Sequence, residues 1–458
     1  MTVEKMGMRV TAKQIDGKAL TPTLIFRRLK GTRKFLLESS AGHSQNGRYS
    51  FIGANPLKSY KGHADGIEET SYPDGASFVH EGELFTLFKR LMPRVMDVSK
   101  FPFTGGAVGY VGYAAGRAER NDVNDEFRSA YFNIYDTIII YDHQSNEVTL
   151  LHTEIHPTYQ APDLDQLATT LLTGVEDIET EVSVSEYRSD VSQQAFEENV
   201  QQVIEEIQAG KAKQVVLSRK LEADIEGDPF QLYRLLRERN PSPYMYYMEF
   251  DDALVIGSSP ESLVQVHDNR VQTNPIAGTR KRGSDKNEDD ALEQSLRTDP
   301  KELSEHDMLV ELSRGEMKQF CNPESVEVSV YQETVKYEHV MHLVSEVTGD
   351  LAPGFHALDT LKMSLPAGTV TGSPKSVAMA MIDEMETEPR GIYGGAIGYI
   401  GLNGNIDFAL TIRTMIVKDS RVSVQSGAGI VEASNPHSEF METVNKAKSL
   451  TELTTRNH

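Results

Sequence analysis

Two stretches of the chain carry glutamates at a spacing that sets two carboxylates on one helix face. Asp299-Pro300-Lys301-Glu302-Leu303-Ser304-Glu305-His306 offers a cap residue, a proline at the first helical position and glutamates three residues apart. Asn435-Pro436-His437-Ser438-Glu439-Phe440-Met441-Glu442 repeats that design. Side chains at i and i+3 are neighbours on a helix. Two such pairs make a donor set for a hard cation such as Mg²⁺, which takes a few carboxylates and keeps waters. Each pair also has an explanation without metal. Glu302 can close a capping box with Asp299, and acids near a helix N-terminus are favoured by its dipole.

Other residues could serve a carboxylate-bearing ligand. Ser426-Gly427-Ala428-Gly429-Ile430 follows the alternating strand Arg421–Gln425, and small residues at a strand end let backbone N–H groups approach an anion. Pro275-Ile276-Ala277-Gly278-Thr279 reads as a tight turn flanked by Arg280, Lys281 and Arg282. His339-Val340-Met341-His342 holds two histidines, with no third ligand at metal spacing. A histidine there suits general-acid work on a leaving hydroxyl at neutral pH, or simply a hydrogen-bonded structural role. No G-x-S-x-G elbow occurs, and Cys321 in Phe-Cys-Asn-Pro has no nucleophile setting. Gly105-Gly-Ala-Val-Gly-Tyr-Val-Gly112 echoes Gly394-Gly-Ala-Ile-Gly-Tyr-Ile-Gly401 without dinucleotide-loop spacing or a Walker lysine. The echo reads as two glycine-bearing strands whose backbones approach closely.

The elements that must hold these groups come from a chain of 458 residues, roughly two to four domains' worth. Acids outnumber bases 68 to 46, a formal charge of −22, so nucleic acid and anionic membrane surfaces are excluded as partners. A single cysteine rules out an internal disulfide and fits a reducing, cytoplasmic setting. No apolar run approaches the length of a spanning helix, and the start does not read as a signal peptide. Residues 174–190, GVEDIETEVSVSEYRSD, read as an acidic solvated linker between an N-terminal region, 1–173, and a second region, 191–458. Before it, Asp136–Asp142 and Glu147–His152 read as β-branched strands across a polar turn. After it, Ser192 caps a helix whose apolar face is Phe196, Val200, Val203, Ile204 and Ile207, with Gly210 as its stop. Gln214–Ser218 follows as a strand. Helices and strands mix without a steady βαβ rhythm, which predicts an α+β fold with largely antiparallel sheet.

Taken in order, these stretches resemble the chorismate-utilising enzymes, most closely the anthranilate synthase component I branch of that family. The resemblance runs from Leu36-Leu-Glu-Ser39 to the C-terminal helix. Its signposts are RYSFIG at 48–53, NPSPYM at 240–245, GSSPE at 257–261, PIAGTR at 275–280 and KELSEH at 301–306. It continues through VMHLVSEV at 340–347, PAGTVTGSPK at 366–375, YGGAIGY at 393–399, Ile412-Arg413 and GAGIV at 427–431.

The resemblance implies large antiparallel sheets packed together and flanked by helices, with residues 191–458 binding chorismate. It makes Glu305 and Glu442 the Mg²⁺ ligands and Glu302 and Glu439 the carboxylates behind them. It implies chorismate contacts from Gly278, Thr279, Tyr393, Arg413, Gly427, Ala428, Gly429 and Lys446. His342 becomes the acid for the departing C4 hydroxyl, with Thr369 as a polar neighbour. Ser39, Pro243, Tyr244 and Met245 match a feedback site for L-tryptophan, formed where the N-terminal region meets the catalytic one. The implied reaction joins ammonia to chorismate and eliminates pyruvate, giving anthranilate, the first step of tryptophan biosynthesis. No glutaminase nucleophile is visible, so glutamine use requires a separate glutamine amidotransferase subunit.

The chain departs from the family pattern at Leu309-Val-Glu-Leu-Ser-Arg-Gly-Glu316 and at Gly112-Tyr-Ala-Ala. Two other positions discriminate within the family. Gln214 stands where water-adding members carry a lysine base, and glutamine cannot take a proton at neutral pH. Ala277 stands where aminodeoxychorismate synthases place lysine. The absence of tryptophan beside 18 Tyr and 17 Phe suits an enzyme needed during tryptophan shortage.

Overall fold

The computed structural model describes residues 9–39, 45–63, 65–95, 101–116, 129–155, 161–176, 178–336 and 340–454. Two sheets of twelve strands each dominate it. In the first, the path runs from Val10–Asp16 through Glu147–Thr153, Thr137–Asp142, Tyr49–Gly53 and Phe35–Glu38. It goes on through Tyr244–Glu249, Leu254–Ser259, Thr414–Lys418, Arg421–Ile430 and Gln214–Gly227 to Val182–Val184. The second runs from Ile276–Lys281 and Val340–Asp350 through Ser262–His267, Ile406–Leu410 and Ala396–Gly401 to Gly106–Val111, and on to Ser77–Glu81. Neighbours pair antiparallel, as the mixed pattern of elements predicts.

The sheets face each other across a core of Phe35, Phe51, Tyr246, Met248 and Val255 from one and Val108, Tyr110, Ile397 and Tyr399 from the other. Phe103 wedges between them, 4.5 Å from Tyr399 and 5.4 Å from Phe51 by ring centroids. Helices cover the outer faces. Phe230, Leu232 and Leu236 of Pro229–Arg239 and Ala447 and Leu450 of Pro436–Thr451 pack on the first sheet. Leu358 and Leu361 of Ala357–Ser364 and Val310 and Met317 of Pro300–Met317 pack on the second. No helix of the described residues is long and apolar enough to cross a membrane.

The helix capped by Ser192 runs Gln193–Gln208 and buries the five apolar residues its period picks out, each contributing roughly 2 kcal/mol. The Ser192 hydroxyl accepts from the Ala195 amide at 3.2 Å, and Gly210 beyond the end has φ +79°. The glycine echo resolves as neighbouring strands. Gly106–Val111 pairs with Ala396–Gly401, with Gly109 opposite Gly398. A Cβ on Gly109 would lie 1.9 Å from the Tyr131 carbonyl oxygen, and one on Gly398 2.0 Å from that of Asp407. Each glycine thus lets its strand close on its other neighbour, Gly109 on Ala130–Tyr135 and Gly398 on Ile406–Leu410.

Three local expectations change. The segment read as a linker carries a strand in its second half: Val182–Val184 pairs with Ile225–Gly227, and Val182 is fully buried. Its two valines alternate inward, a pattern too short to stand out among the acids. Both sheets also take strands from either side of this segment. The 275–279 stretch is no turn but the start of the Ile276–Lys281 strand, with its register broken between Ala277 and Thr279. Ser426–Ile430 likewise continues the Arg421–Ile430 strand, opposite Val215–Arg219. In both places the pairing partner, distant in sequence, overrides the local preference of glycine.

Candidate active site

The break between Ala277 and Thr279 organises the first half of the site. Gly278 takes φ +79° there, a left-handed conformation that glycine adopts without a Cβ clash. Its carbonyl turns to His342 on the adjacent Val340–Asp350 strand, 3.1 Å from Nδ1, and the Thr279 hydroxyl lies 3.0 Å from the same nitrogen. A carbonyl accepts only from a protonated Nδ1, so this contact fixes the tautomer and directs proton exchange to Nε2. Burial lowers the His342 pKa, and the nearby Arg413 guanidinium lowers it further, against the Gly278 carbonyl.

Behind the bulge stands the Pro300–Met317 helix. Asp299 caps it, accepting from the Lys301 amide at 2.9 Å, with Pro300 at its first turn. Glu302 does not close a capping box. Its carboxylate accepts from Arg280 Nη1 at 2.9 Å and lies where a Cβ on Gly278 would come within 3.3 Å. The residues after Glu305 are anchored to the strands beside the helix. His306, fully buried, lies 2.7 Å from the Ser345 hydroxyl, and Asp307 accepts from Tyr331 and from the Gln332 side chain.

The second half lies on the Arg421–Ile430 strand and the Pro436–Thr451 helix. Asn435 accepts from the Ser438 amide, so this helix starts where the first pair's twin was expected. Lys446 bonds Glu442 at 2.7 Å and donates to the Gly427 carbonyl at 3.1 Å. A Cβ on Gly427 would meet the Tyr393 hydroxyl at 2.8 Å, and one on Gly429 the Gln214 amide nitrogen at 2.9 Å. Bare backbone at both positions therefore faces these groups. Burial raises the Glu439 pKa, with the Glu442 charge adding to it.

One residue ties the cluster together that the sequence left without a role. Glu261, last residue of GSSPE, accepts from the Thr369 hydroxyl at 2.9 Å. Burial raises its pKa, while Lys446 and Arg413 pull it down. The structure thus brings Thr369, Arg413, Lys446 and Glu261 within one electrostatic neighbourhood, and Arg413 also joins that neighbourhood to His342. The signal was a carboxylate directly after a strand-ending proline, in a motif read only for its order. Arg413 itself has φ +49°, a strained backbone conformation at a position expected to bind substrate. His339 lies outside the described residues.

Among the described residues, no three acidic, histidine or cysteine side chains gather into a ready-made metal cluster. The donor chemistry nevertheless suits Mg²⁺, which is held by one or two carboxylates with waters and substrate oxygens rather than by an all-protein cage. The mutual repulsion of Glu439 and Glu442 is the kind a cation relieves.

A separate cavity of about 450 Å³ collects Ser39, Pro243, Tyr244 and Met245. They meet because Phe35–Glu38 pairs with Tyr244–Glu249, setting Glu38 opposite Met245. Leu37, Phe51 and Tyr399 add apolar wall. Asp407 is one of the carboxylates lining this cavity, with Glu38, Glu333 and Glu346; it accepts from the Tyr244 hydroxyl at 2.9 Å, which in turn accepts from Gln265 at 2.6 Å. Burial pushes its pKa up to about 7. Between about pH 4 and 7 the unfolded chain ionises this carboxyl and the folded chain does not. Asp407 therefore withdraws stability as pH rises through that window, and the deficit stays constant above it. We expect Asp407→Asn to melt closer to, or above, the parent at pH 8 than at pH 5. Equal differences in Tm at the two pH values would reject that ionisation.

Comparison with known proteins gives the following. The family model described as chorismate binding enzyme matches residues 33–452. Anthranilate synthase component 1 of Lactococcus lactis is 43% identical over 452 residues, covering 96% of this chain and 98% of its own. That of Aquifex aeolicus is 39% identical, covering 94% and 91%. The crystal structure of anthranilate synthase component I from Streptococcus pneumoniae superposes with a TM-score of 0.79 at 35% identity, covering 98% of this chain and all of the other.

Proposed function

The chain belongs to the chorismate-binding enzymes, in the branch of the anthranilate synthase component I chains, and from that premise we propose the reaction in detail. Chorismate and ammonia give anthranilate, pyruvate and water, the first step of tryptophan biosynthesis in the cytoplasm. The observation that carries the reading is the convergence of His342, Thr279 and Gly278 with Arg413, Thr369, Lys446 and Glu261.

Each group has a task that its chemistry supports. Arg413 suits a substrate carboxylate through its planar fork, and Lys446 supplies a second positive charge. The backbone of Gly427, Ala428 and Gly429 leaves room for the ring beside the Tyr393 hydroxyl. His342, held neutral by burial and Arg413, regains its proton affinity when a dianionic substrate arrives. It then hands a proton to the departing C4 hydroxyl, with Thr279 orienting the ring. Glu261, whose raised pKa lets it hold a proton beside an anion, is placed to exchange protons as pyruvate leaves. Mg²⁺, held by Glu305 and Glu442 with Glu302 and Glu439 behind them, would neutralise the ring carboxylate.

Ammonia rather than water is the proposed nucleophile, because Gln214 beside Gly429 cannot act as a base. The ammonia would come from a glutamine amidotransferase subunit. L-Tryptophan would inhibit through the cavity of Ser39 and Tyr244.

The test is direct. Purified alone with chorismate and Mg²⁺, the chain should release fluorescent anthranilate with ammonium salts and not with glutamine. The rate at fixed total ammonium should rise with pH as ammonium yields NH₃. Glutamine-dependent turnover without a partner, or an aminodeoxychorismate product on chromatography, would overturn the reading.

A further inference from the structure

A second cavity, of about 290 Å³, opens at the edge of the first sheet, against the strand whose Leu217 and Ser218 pair with Ala428 and Gly427. Its walls come from residues 185–191, the Gln214–Gly227 strand and the end of the Lys375–Met385 helix. Arg219 lines it and is only 8% exposed. Its Nε donates to the buried Thr443 hydroxyl at 2.8 Å, and its guanidinium stacks 4.6 Å from the Phe440 ring centroid. No carboxylate among the described residues pairs with it. Arg33, Arg270, Arg282 and Arg390 all bind acids, in a chain with 68 of them. Burying an arginine without a counterion is costly, so a buried, unpaired guanidinium on a cavity wall calls for an anion.

The sheet edge supplies an independent donor. The amides of Val216, Ser218 and Glu222 point outward and bond Thr371, the Glu386 carboxylate and Arg188. Strand alternation aims the Lys220 amide at the same edge, where the gap between Ser218 and Glu222 is the cavity. Lys220 and Arg219 thus line one small hollow together, the guanidinium without a carboxylate partner among the described residues. Its volume lies at the lower end of ligand pockets and suits a metabolite of amino-acid size. Acids on the rim, among them Asp190 and Glu388, favour a ligand that also carries a positive group.

We propose that this cavity is a second small-molecule site, which binds a free carboxylate, best an α-amino acid, with Arg219 as its anchor. The site lies behind the helix that carries Glu439 and Glu442, since Phe440 and Thr443 are the residues Arg219 touches.

Saturation-transfer NMR on the full chain, with L-glutamate and malonate as separate probes, tests this. Both should bind saturably, L-glutamate more tightly. Arg219→Met should weaken both by about tenfold or more, the loss of a charge-assisted contact. Because Arg219 also supports a helix, Ser189→Tyr provides the second variant, closing the cavity from a part-exposed position while leaving the arginine in place. It should abolish the signal with the circular dichroism melt unchanged. Inorganic phosphate binding as tightly as the carboxylates would overturn the carboxylate assignment. Absence of binding to the parent, or equal binding in both variants, would overturn the site.

Discussion

Glu305→Gln and Glu442→Gln should each lower anthranilate formation about 100-fold or more, the several kcal/mol that charge neutralisation at a metal supplies. Each change keeps the side chain's shape and removes one negative charge facing the proposed cation. The fold should tolerate both, because Glu305 is exposed and, among the described residues, Glu442 bonds only across one turn, to Lys446. That pairing sharpens the expectation for Glu442. Lys446 also donates to the Gly427 carbonyl, so the glutamine variant frees a cation beside the proposed substrate ring. Raising Mg²⁺ should recover part of the lost rate, since fewer charges weaken metal binding before they alter chemistry. Glu311→Gln serves as control: it lies on the same helix and, among the described residues, pairs only with Arg314 at the surface. It should stay within about twofold of the parent, because exposed ion pairs contribute little. Full activity in both metal-ligand variants at limiting Mg²⁺ would reject the assignment.

How much of this was legible depended on distance along the chain. The Gln193–Gln208 helix was readable because cap, period and stop lie within 19 residues. The two proline-started helices were readable for the same reason. The carboxylate, histidine and arginine types were visible as chemistry, but their meeting was not. Gly278 read as a turn because nothing local reveals that it opposes the 340–344 strand and feeds its carbonyl to His342. Glu261 escaped because its role comes from Thr369, 108 residues away, and from two cations farther still. Arg219 looked like one more strand residue, since its oddity is the absence of a carboxylate partner among the described residues, which only packing can reveal. The family resemblance supplied the grouping that periodicity could not.

Ser39→Phe should abolish tryptophan inhibition, raising the inhibitory concentration ~30-fold or more, a loss of ~2 kcal/mol of ligand binding. Uninhibited turnover should stay within about twofold, because Ser39 lies in the 450 Å³ cavity and touches none of the groups around His342. The phenyl ring would take the space proposed for the indole among Leu37, Tyr244 and Met245. The proposed basis for inhibition is that the cavity and the proposed catalytic cluster share strands. Ile276 lines the cavity, and two and three residues on, Gly278 and Thr279 meet His342. Pro260 and Ser262 line it on either side of Glu261. Ser345 lines it as well and holds His306, the residue after Glu305. A ligand that prefers one arrangement of these strands therefore acts together on the residues proposed to handle protons and to face the metal. Tryptophan should accordingly raise the chorismate requirement, and chorismate should weaken tryptophan binding by the same factor. Calorimetric titration of tryptophan with and without chorismate measures both. An enzyme indifferent to millimolar tryptophan, or a Ser39→Phe variant as sensitive as its parent, would reject the cavity as the feedback site.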